Sequence, residues 1–343
     1  MLQFESDYME GAHPKLLEAL IRVNTEKTTG YGQDDHCFRA EKKILEACGC
    51  PDGRVFFLIG GTQANSTVID SFLMPYEGVF AADTGHINTH EAGAVEMNGH
   101  KVLTIPHRDG KITPETLKAA IGVYLNDTSR DHIIKPGMVY LSHPTEFGTL
   151  YSLDELTAIS ALCRDNGLKL YLDGARLAYA LASPKSDVGL KDLARLCDCF
   201  YIGGTKCGAL LGEAVVFPSG DTSGHFFTLM KRHGAVLAKG KTLGVQFDAL
   251  FTDGLYLQVG AAAVSGAQRV LQAVQNKGWT LLCPADANQV FFRLPNADLT
   301  KLTSAASVTL WERGAEESVV RITCSWSASE EDIEALVRLI ETI

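Results

Sequence analysis

From about residue 14 to residue 240, short apolar runs alternate with amphipathic stretches, and this alternation narrows the fold more than any other feature of the chain. The runs at 54–59, 79–82, 100–105, 137–142, 169–172, 199–202 and 213–217 have the length of buried strands. Helical stretches at 14–22, 36–48, 62–73 and 153–166 lie between several of them. Such an order implies an α/β sheet, mostly parallel and covered on both faces. Beyond about residue 240 the texture changes. A long Ala- and Val-rich helix at 254–274 precedes strands at 289–294 and 319–324, a helix at 298–306 and a terminal helix at 330–343. Ser327-Ala-Ser-Glu330 supplies the N-cap and acidic first turn of that last helix. The expected organisation is a large unit over 1–245, with an N-terminal arm over 1–13, and a small α+β unit over 246–343.

Composition excludes several function classes. With 343 residues, 46% hydrophobic and 21% charged, the chain has material for a sizeable core. A net charge of −10 argues against nucleic acid as a partner, because phosphate backbones are bound by clustered Lys and Arg. The acidic start MLQFESDYMEGAHP has neither the basic nor the apolar region of a secretory signal. No uncharged apolar run has the length to span a bilayer. A cytoplasmic protein without membrane contact is expected. The nine cysteines include the C-x-C pairs Cys48/Cys50 and Cys197/Cys199, which do not have zinc-site spacing and read as buried, reduced thiols.

Ligands of open α/β sheets sit at the carboxyl ends of the strands, and three motifs occupy that place. Ile59-Gly-Gly-Thr-Gln-Ala-Asn65 joins a strand to a helix. Its glycines allow close approach to a small phosphate at the helix N-terminus. It is neither a dinucleotide fingerprint nor a Walker loop. In Leu168-Lys-Leu-Tyr-Leu-Asp-Gly-Ala-Arg176 a buried strand ends on Asp173, with Arg176 three residues on. In Cys199-Phe-Tyr-Ile-Gly-Gly-Thr-Lys206 another strand delivers a lysine. Desolvation of such a lysine yields a neutral, nucleophilic amine. A phosphate cradle, a strand-end carboxylate and a strand-end lysine are together the parts of a pyridoxal 5′-phosphate site.

The chain resembles the threonine aldolase and β-eliminating lyase family of pyridoxal phosphate enzymes. The resemblance rests on Phe4-Glu-Ser-Asp7, Tyr31-Gly-Gln-Asp-Asp35, Gly61-Thr-Gln-Ala-Asn65, His86 with Glu91-Ala-Gly93, Asp173-Gly-Ala-Arg176, Thr205-Lys206 and Val320-Arg-Ile322. It implies the aminotransferase-like fold, called fold type I: a large domain with a mostly parallel sheet and a small C-terminal domain. It implies a homodimer or homotetramer with shared active sites and an amino-acid substrate. Carried over residue by residue, it implies that Lys206 attaches the cofactor covalently and Asp173 binds the ring nitrogen. Gly61, Thr62 and Thr205 would hold the phosphate, and His86 would stack on the ring. Arg176 would reach cofactor and substrate carboxylate, Arg321 would be the second carboxylate anchor, and Ser6 and Tyr31 would join the substrate pocket.

Three departures stand out. Glu146, in Ser142-His-Pro-Thr-Glu-Phe-Gly148, stands where many relatives carry a second active-site histidine, with His143 nearby but out of register. Val245 precedes Gln246 where relatives often carry an arginine, which makes Lys241 the alternative phosphate contact. Gly-Gly-Thr-Lys replaces Leu-Ser-Lys. His86 and His90 share a helical spacing, yet no third metal ligand is evident, and no metal is expected. The expected reaction is retro-aldol cleavage of a β-hydroxy-α-amino acid, L-threonine or L-allo-threonine, to glycine and an aldehyde. The proton acceptor would be His86, Glu146 or water. The alternative is β-elimination from a cysteine- or serine-type amino acid.

Overall fold

The computed structural model describes residues 1–222 and 224–343. Among these residues the strands are β1 (Leu2–Gln3), β2 (Arg54–Leu58), β3 (Glu77–Ala82), β4 (Val102–Ile105), β5 (Lys135–Ser142), β6 (Lys169–Asp173), β7 (Cys199–Gly203), β8 (Glu213–Phe217), β9 (Thr280–Leu281), β10 (Gln289–Pro295), β11 (Ala306–Ser307), β12 (Thr309–Arg313) and β13 (Glu317–Thr323). A seven-stranded sheet has the order β2-β8-β7-β6-β5-β3-β4. From β7 to β4 its neighbours are parallel, and β8 runs antiparallel to both β2 and β7. Each expected strand of the large sheet is present. The aminotransferase-like architecture is therefore the observed one.

Period-two alternation divides the large sheet between two cores. Val139, Leu141, Leu170, Leu172, Phe200 and Ile202 point to one face and pack with Ile44, Leu156, Ile159 and Phe247. Met138, Tyr140, Tyr171, Cys199 and Tyr201 point to the other, with Ala64, Val68 and Ile69. Three tyrosines thus lie side by side on the adjacent strands β5, β6 and β7. Because Asp173 follows Tyr171 by two residues, its side chain emerges on the tyrosine-bearing face.

The first three helices are α1 (Pro14–Arg22), α2 (Asp35–Cys48) and α3 (Gly61–Phe72). The Asp34 carboxylate caps α2, accepting from the amides of His36 and Cys37 at 3.1 Å each. At the head of α3 the N-cap is Gly60, and no side chain caps that end.

The small unit is the antiparallel sheet β12-β13-β10-β9, with a core that includes Val290, Phe292, Val320, Ile322 and Leu336. The terminal helix Glu330–Thr342 is capped by Ser329, within the expected motif. Edge strand β12 has no sequence forecast, because its largely exposed Thr-Leu-Trp-Glu-Arg run carries charge and a bulge between Leu310 and Glu312. The two units interlock. Residue 245 falls inside the helix Lys241–Leu250, whose Phe247 and Leu250 belong to the large core. The helix Leu255–Asn276 gives Leu255 to Val264 to the large core and Ala267 to Val274 to the small one. The N-terminal arm crosses back: β1 pairs with β11, and Phe4 sits in the small core.

The contact between the long helix and the large unit is close at Gly260. A Cβ there would stand 2.1 Å from the Ala178 carbonyl oxygen. Gly260→Ala should therefore destabilise the protein by about 1–3 kcal/mol, because the backbones must separate to admit a methyl group. Chemical denaturation followed by circular dichroism reads this as a lowered midpoint.

Candidate active site

Asp173 ends β6, 4% exposed, at the base of a cavity of about 190 Å³. Its Oδ2 accepts from the Tyr140 hydroxyl (2.7 Å) and Asn65 Nδ2 (2.9 Å), and its Oδ1 accepts from the Ala175 amide (2.9 Å). Burial alone would raise this carboxyl. Attraction to His86 and hydrogen bonds from Tyr201, Tyr140 and Asn65 outweigh it and hold the group below the usual carboxylate range. Asn65 is oriented in turn, accepting from Tyr171 at 2.9 Å and donating to Glu91 Oε1 at 2.7 Å. The tyrosine layer under the sheet end thus serves one carboxylate.

Lys206 faces the same cavity, as do Gly60, Gly61, Thr62, His86, Glu146, Arg176, Thr205 and Glu213. Burial lowers its ammonium from the ordinary lysine value, and Arg176 repels it further, against the pull of Asp7, Asp173 and Glu213. The Tyr8 ring lies 5.9 Å from its Nζ. The α3 N-terminus opens on this cavity. Its first intrahelical amide bond runs from Ala64 to Gly60, which leaves the amides of Gly61 and Thr62 without a helical partner. The Thr205 Oγ1 accepts from the Gly212 amide at 3.1 Å.

His86 and Glu146 form the opposite wall. His86 Nδ1 meets Glu91 Oε1 at 2.8 Å, which fixes the ring. Glu146 Oε1 accepts from the His86 amide (2.8 Å) and the Ser142 hydroxyl (2.6 Å), and the Ser142 oxygen stands 3.2 Å from the Tyr140 hydroxyl. Burial raises the Glu146 carboxyl above the usual range, with Asp173 adding to it and the hydrogen bonds opposing. His143 lies elsewhere. It is fully buried, accepts from the Tyr151 amide at 3.3 Å, and is pushed down to about 4 by burial. The His90 ring stacks on His86 at 5.6 Å, and its Nδ1 is 2.6 Å from the Thr89 hydroxyl.

The remaining sequence-derived residues spread outward. Arg176 is in the cavity, but Asp7 holds its guanidinium in a two-pronged pair (2.7 and 2.9 Å), and Asn288 supports Asp7 at 2.9 Å. Burial would raise Asp7, yet Arg176 keeps it below the carboxylate range. Arg321 stands outside the cavity lining, over the Trp311 ring at 5.8 Å, and donates to Glu5 O and Thr309 Oγ1. Its Nε is buried without a partner among the described residues. Burial and the neighbouring Arg176 lower its proton affinity. Ser6 is buried in the arm beside Asp7, also outside the lining. Tyr31 is 51% exposed with φ of 63°, its ring 5.0 Å from Lys231 Nζ, and it faces a different hollow. Asp35 begins α2. Lys241 donates to the carbonyls of Val23 and Glu26 and does not line the cavity.

The sequence profile of the Beta-eliminating lyase family matches residues 3–293. The chain belongs to that family. A low specificity L-threonine aldolase of a Pseudomonas species is 32% identical over 347 residues, spanning 99% of this chain and 97% of that protein. A solved threonine aldolase of Leishmania major superposes with a TM-score of 0.96 at 39% identity, covering 100% of this chain and 99% of that one. A Thermus thermophilus aspartate aminotransferase, at 15% identity and a TM-score of 0.74, shares the fold alone.

Beta-eliminating lyases in general depend on pyridoxal phosphate, and the donor set here suits it. A buried carboxylate held ionised matches a protonated ring nitrogen. Uncapped amides behind two glycines match a phosphate. At Gly60 nothing lies within 4 Å of where a Cβ would stand, so that approach is open.

The lysine, the aspartate and the α3 turn were legible as motifs. The Asp7 clasp and Glu213 were not. A charge inside the apolar strand Glu213–Phe217 is the signal that marks the latter. Asp7→Asn should destabilise the protein by about 3–5 kcal/mol, since it strands a buried arginine. Urea denaturation of the purified variant measures this.

Proposed function

We propose that the protein cleaves a β-hydroxy-α-amino acid, L-threonine or L-allo-threonine, between Cα and Cβ to give glycine and an aldehyde, using pyridoxal phosphate. The observation that carries the reading is the shared cavity of Lys206, Asp173, His86 and Glu146 in a chain that matches threonine aldolases over its full length. Lys206 attaches the cofactor, Asp173 holds its ring nitrogen, and His86 covers its ring. Gly61, Thr62 and Thr205 hold its phosphate. When bound, pyridoxal phosphate supplies the electron sink for the pair released by the breaking bond. Arg176 and Arg321 orient the substrate carboxylate, an anion suited to planar guanidinium groups. Ser6 and Tyr31 belong to the same pocket in the assembled protein.

Glu146 is the group that takes the substrate β-hydroxyl proton. Its carboxyl faces the cavity, and Ser142 and the His86 amide fix one oxygen. His86, locked by Glu91, positions the hydroxyl. Arg176 is already neutralised by Asp7, so Arg321 carries the larger share of the carboxylate's charge.

A homo-oligomer with sites shared across subunits is part of this proposal. Tyr31, Phe38, Ile59, Leu210 and Phe227 are exposed apolar residues that a second copy would cover. Among the described residues no helix is long and apolar enough to cross a membrane. A cytoplasmic location is likewise proposed.

Incubation with a panel of β-hydroxy amino acids should yield glycine and an aldehyde in equal amounts. Pyruvate and ammonia from cysteine- or serine-type substrates, with no glycine, would overturn the reading in favour of β-elimination. Lys206→Ala should abolish both the visible absorbance of the bound cofactor and turnover. Glu146→Gln should lower kcat about 10²–10⁴-fold. A base works ionised and burial raises Glu146, so kcat/KM should fall on the acid side with a break above the ordinary value of about 4.3. That break should be missing in Glu146→Gln.

A further inference from the structure

The end of the cavity that would receive the phosphate contains a carboxylate. Glu213 opens β8, the strand that runs against the direction of its neighbours. It is paired with Leu58 of β2 on one side and Gly203 of β7 on the other. β2 leads directly into the Gly60-Gly61-Thr62 turn at the head of α3, and β7 leads into Gly204-Thr205-Lys206. The Glu213 side chain therefore enters the cavity between the two turns that carry the phosphate donors. It is 4% exposed. Its Oε2 accepts from the Gly204 amide at 3.1 Å, and the Thr205 hydroxyl is a second partner.

An ionised carboxylate there would oppose the ligand the turns are built to hold. The α3 amides select an anion, and a second negative charge beside them repels it. A protonated carboxyl reverses the relation, because it offers an O–H to a phosphate oxygen. We propose that Glu213 is a neutral carboxylic acid that donates a hydrogen bond to the phosphate of the bound cofactor. This rests on the pyridoxal phosphate reading and adds to it a donor supplied by an acid.

The surroundings favour the neutral form. Burial pushes the Glu213 carboxyl up to about 8, with Asp173 adding to the rise and Thr205, Lys206 and the Gly204 amide opposing it. The titratable groups facing it are Lys206 and Cys207 after β7, Tyr201 on β7, Asp173 and Tyr171 on β6, and Tyr256 on the long helix. Arg176 and His86 line the same cavity. A phosphate dianion nearby raises the carboxyl further, since it disfavours a second negative charge.

The test compares dissociation constants of pyridoxal phosphate and of pyridoxal, which lacks the phosphate, for the full-length protein between pH 7 and pH 9. A donor that ionises near 8 must be reprotonated before it can serve. The ratio of the two constants should then rise about tenfold over this window in the wild-type protein, at the expense of pyridoxal phosphate. In Glu213→Gln, whose amide donates at every pH, the ratio should stay flat. A flat ratio in the wild-type protein overturns the proposal without recourse to any variant. An equal shift for both ligands also overturns it, because Glu213 would then act on Lys206 and not on the phosphate. If neither protein binds pyridoxal phosphate at pH 7, the cofactor reading itself fails and this inference falls with it.

Discussion

A charged carboxylate at the bottom of a sheet is the constraint around which this protein is organised. Asp173 is buried, and a buried charge must be fully engaged or it becomes neutral. Three strands answer this by placing tyrosines on one face, and α3 answers it with Asn65. The requirement then travels: Asn65 needs Tyr171 and Glu91, Glu91 locks His86, and Tyr140 links through Ser142 to Glu146. Groups read separately in the sequence as ring-stacking, proton-accepting and cofactor-binding thus share one hydrogen-bond network. Changing any of them alters the electrostatics of the rest.

Around this network the cavity balances its charges locally. Lys206 and Arg176 bring positive charge, with Arg321 just outside, against the buried carboxyl groups of Asp7, Asp173, Glu91 and Glu213 and the partly buried one of Glu146. Burial raises Asp7, Asp173, Glu146 and Glu213 alike, and their partners decide the outcome. Asp173 and Asp7 have enough partners to stay ionised, while Glu146 and Glu213 have fewer and shift toward neutrality. One fold therefore holds carboxyl groups of opposite protonation habit within a single pocket, the condition for dividing acid and base work.

The large sheet could be read almost strand for strand because buried strands leave short apolar runs between helices, and all seven did so here. Asp173, Lys206 and the Gly60-Gly61 turn were visible because each ends such a run. Edge strand β12 was not, because an exposed, bulged strand has no apolar period to detect. Long-range contacts were hidden for a different reason. Asp7 meets Arg176 across 169 residues, and no local pattern records that meeting. Asn65 and Glu91 stand in motifs that carry the family resemblance, but their placement with Tyr140 around one carboxylate is set only by the fold. The position of Tyr31, away from the cavity of its own chain, was equally beyond the reach of a linear reading.

The crossing N-terminal arm has a consequence for the order of assembly. β1 lies against residues near 306, Phe4 is enclosed by the small core, and Asp7 closes on Arg176 in the large unit. The arm's docking place includes segments made after some three hundred others. The arm that carries Asp7 docks on residues near 306, so the clasp on Arg176 has to wait for both units, since distant closures come at the cost of chain entropy. A growing chain can therefore be well folded through the sheet and still present an arginine free of its acidic counterpart. Completion of the pocket is tied to the making of the small unit.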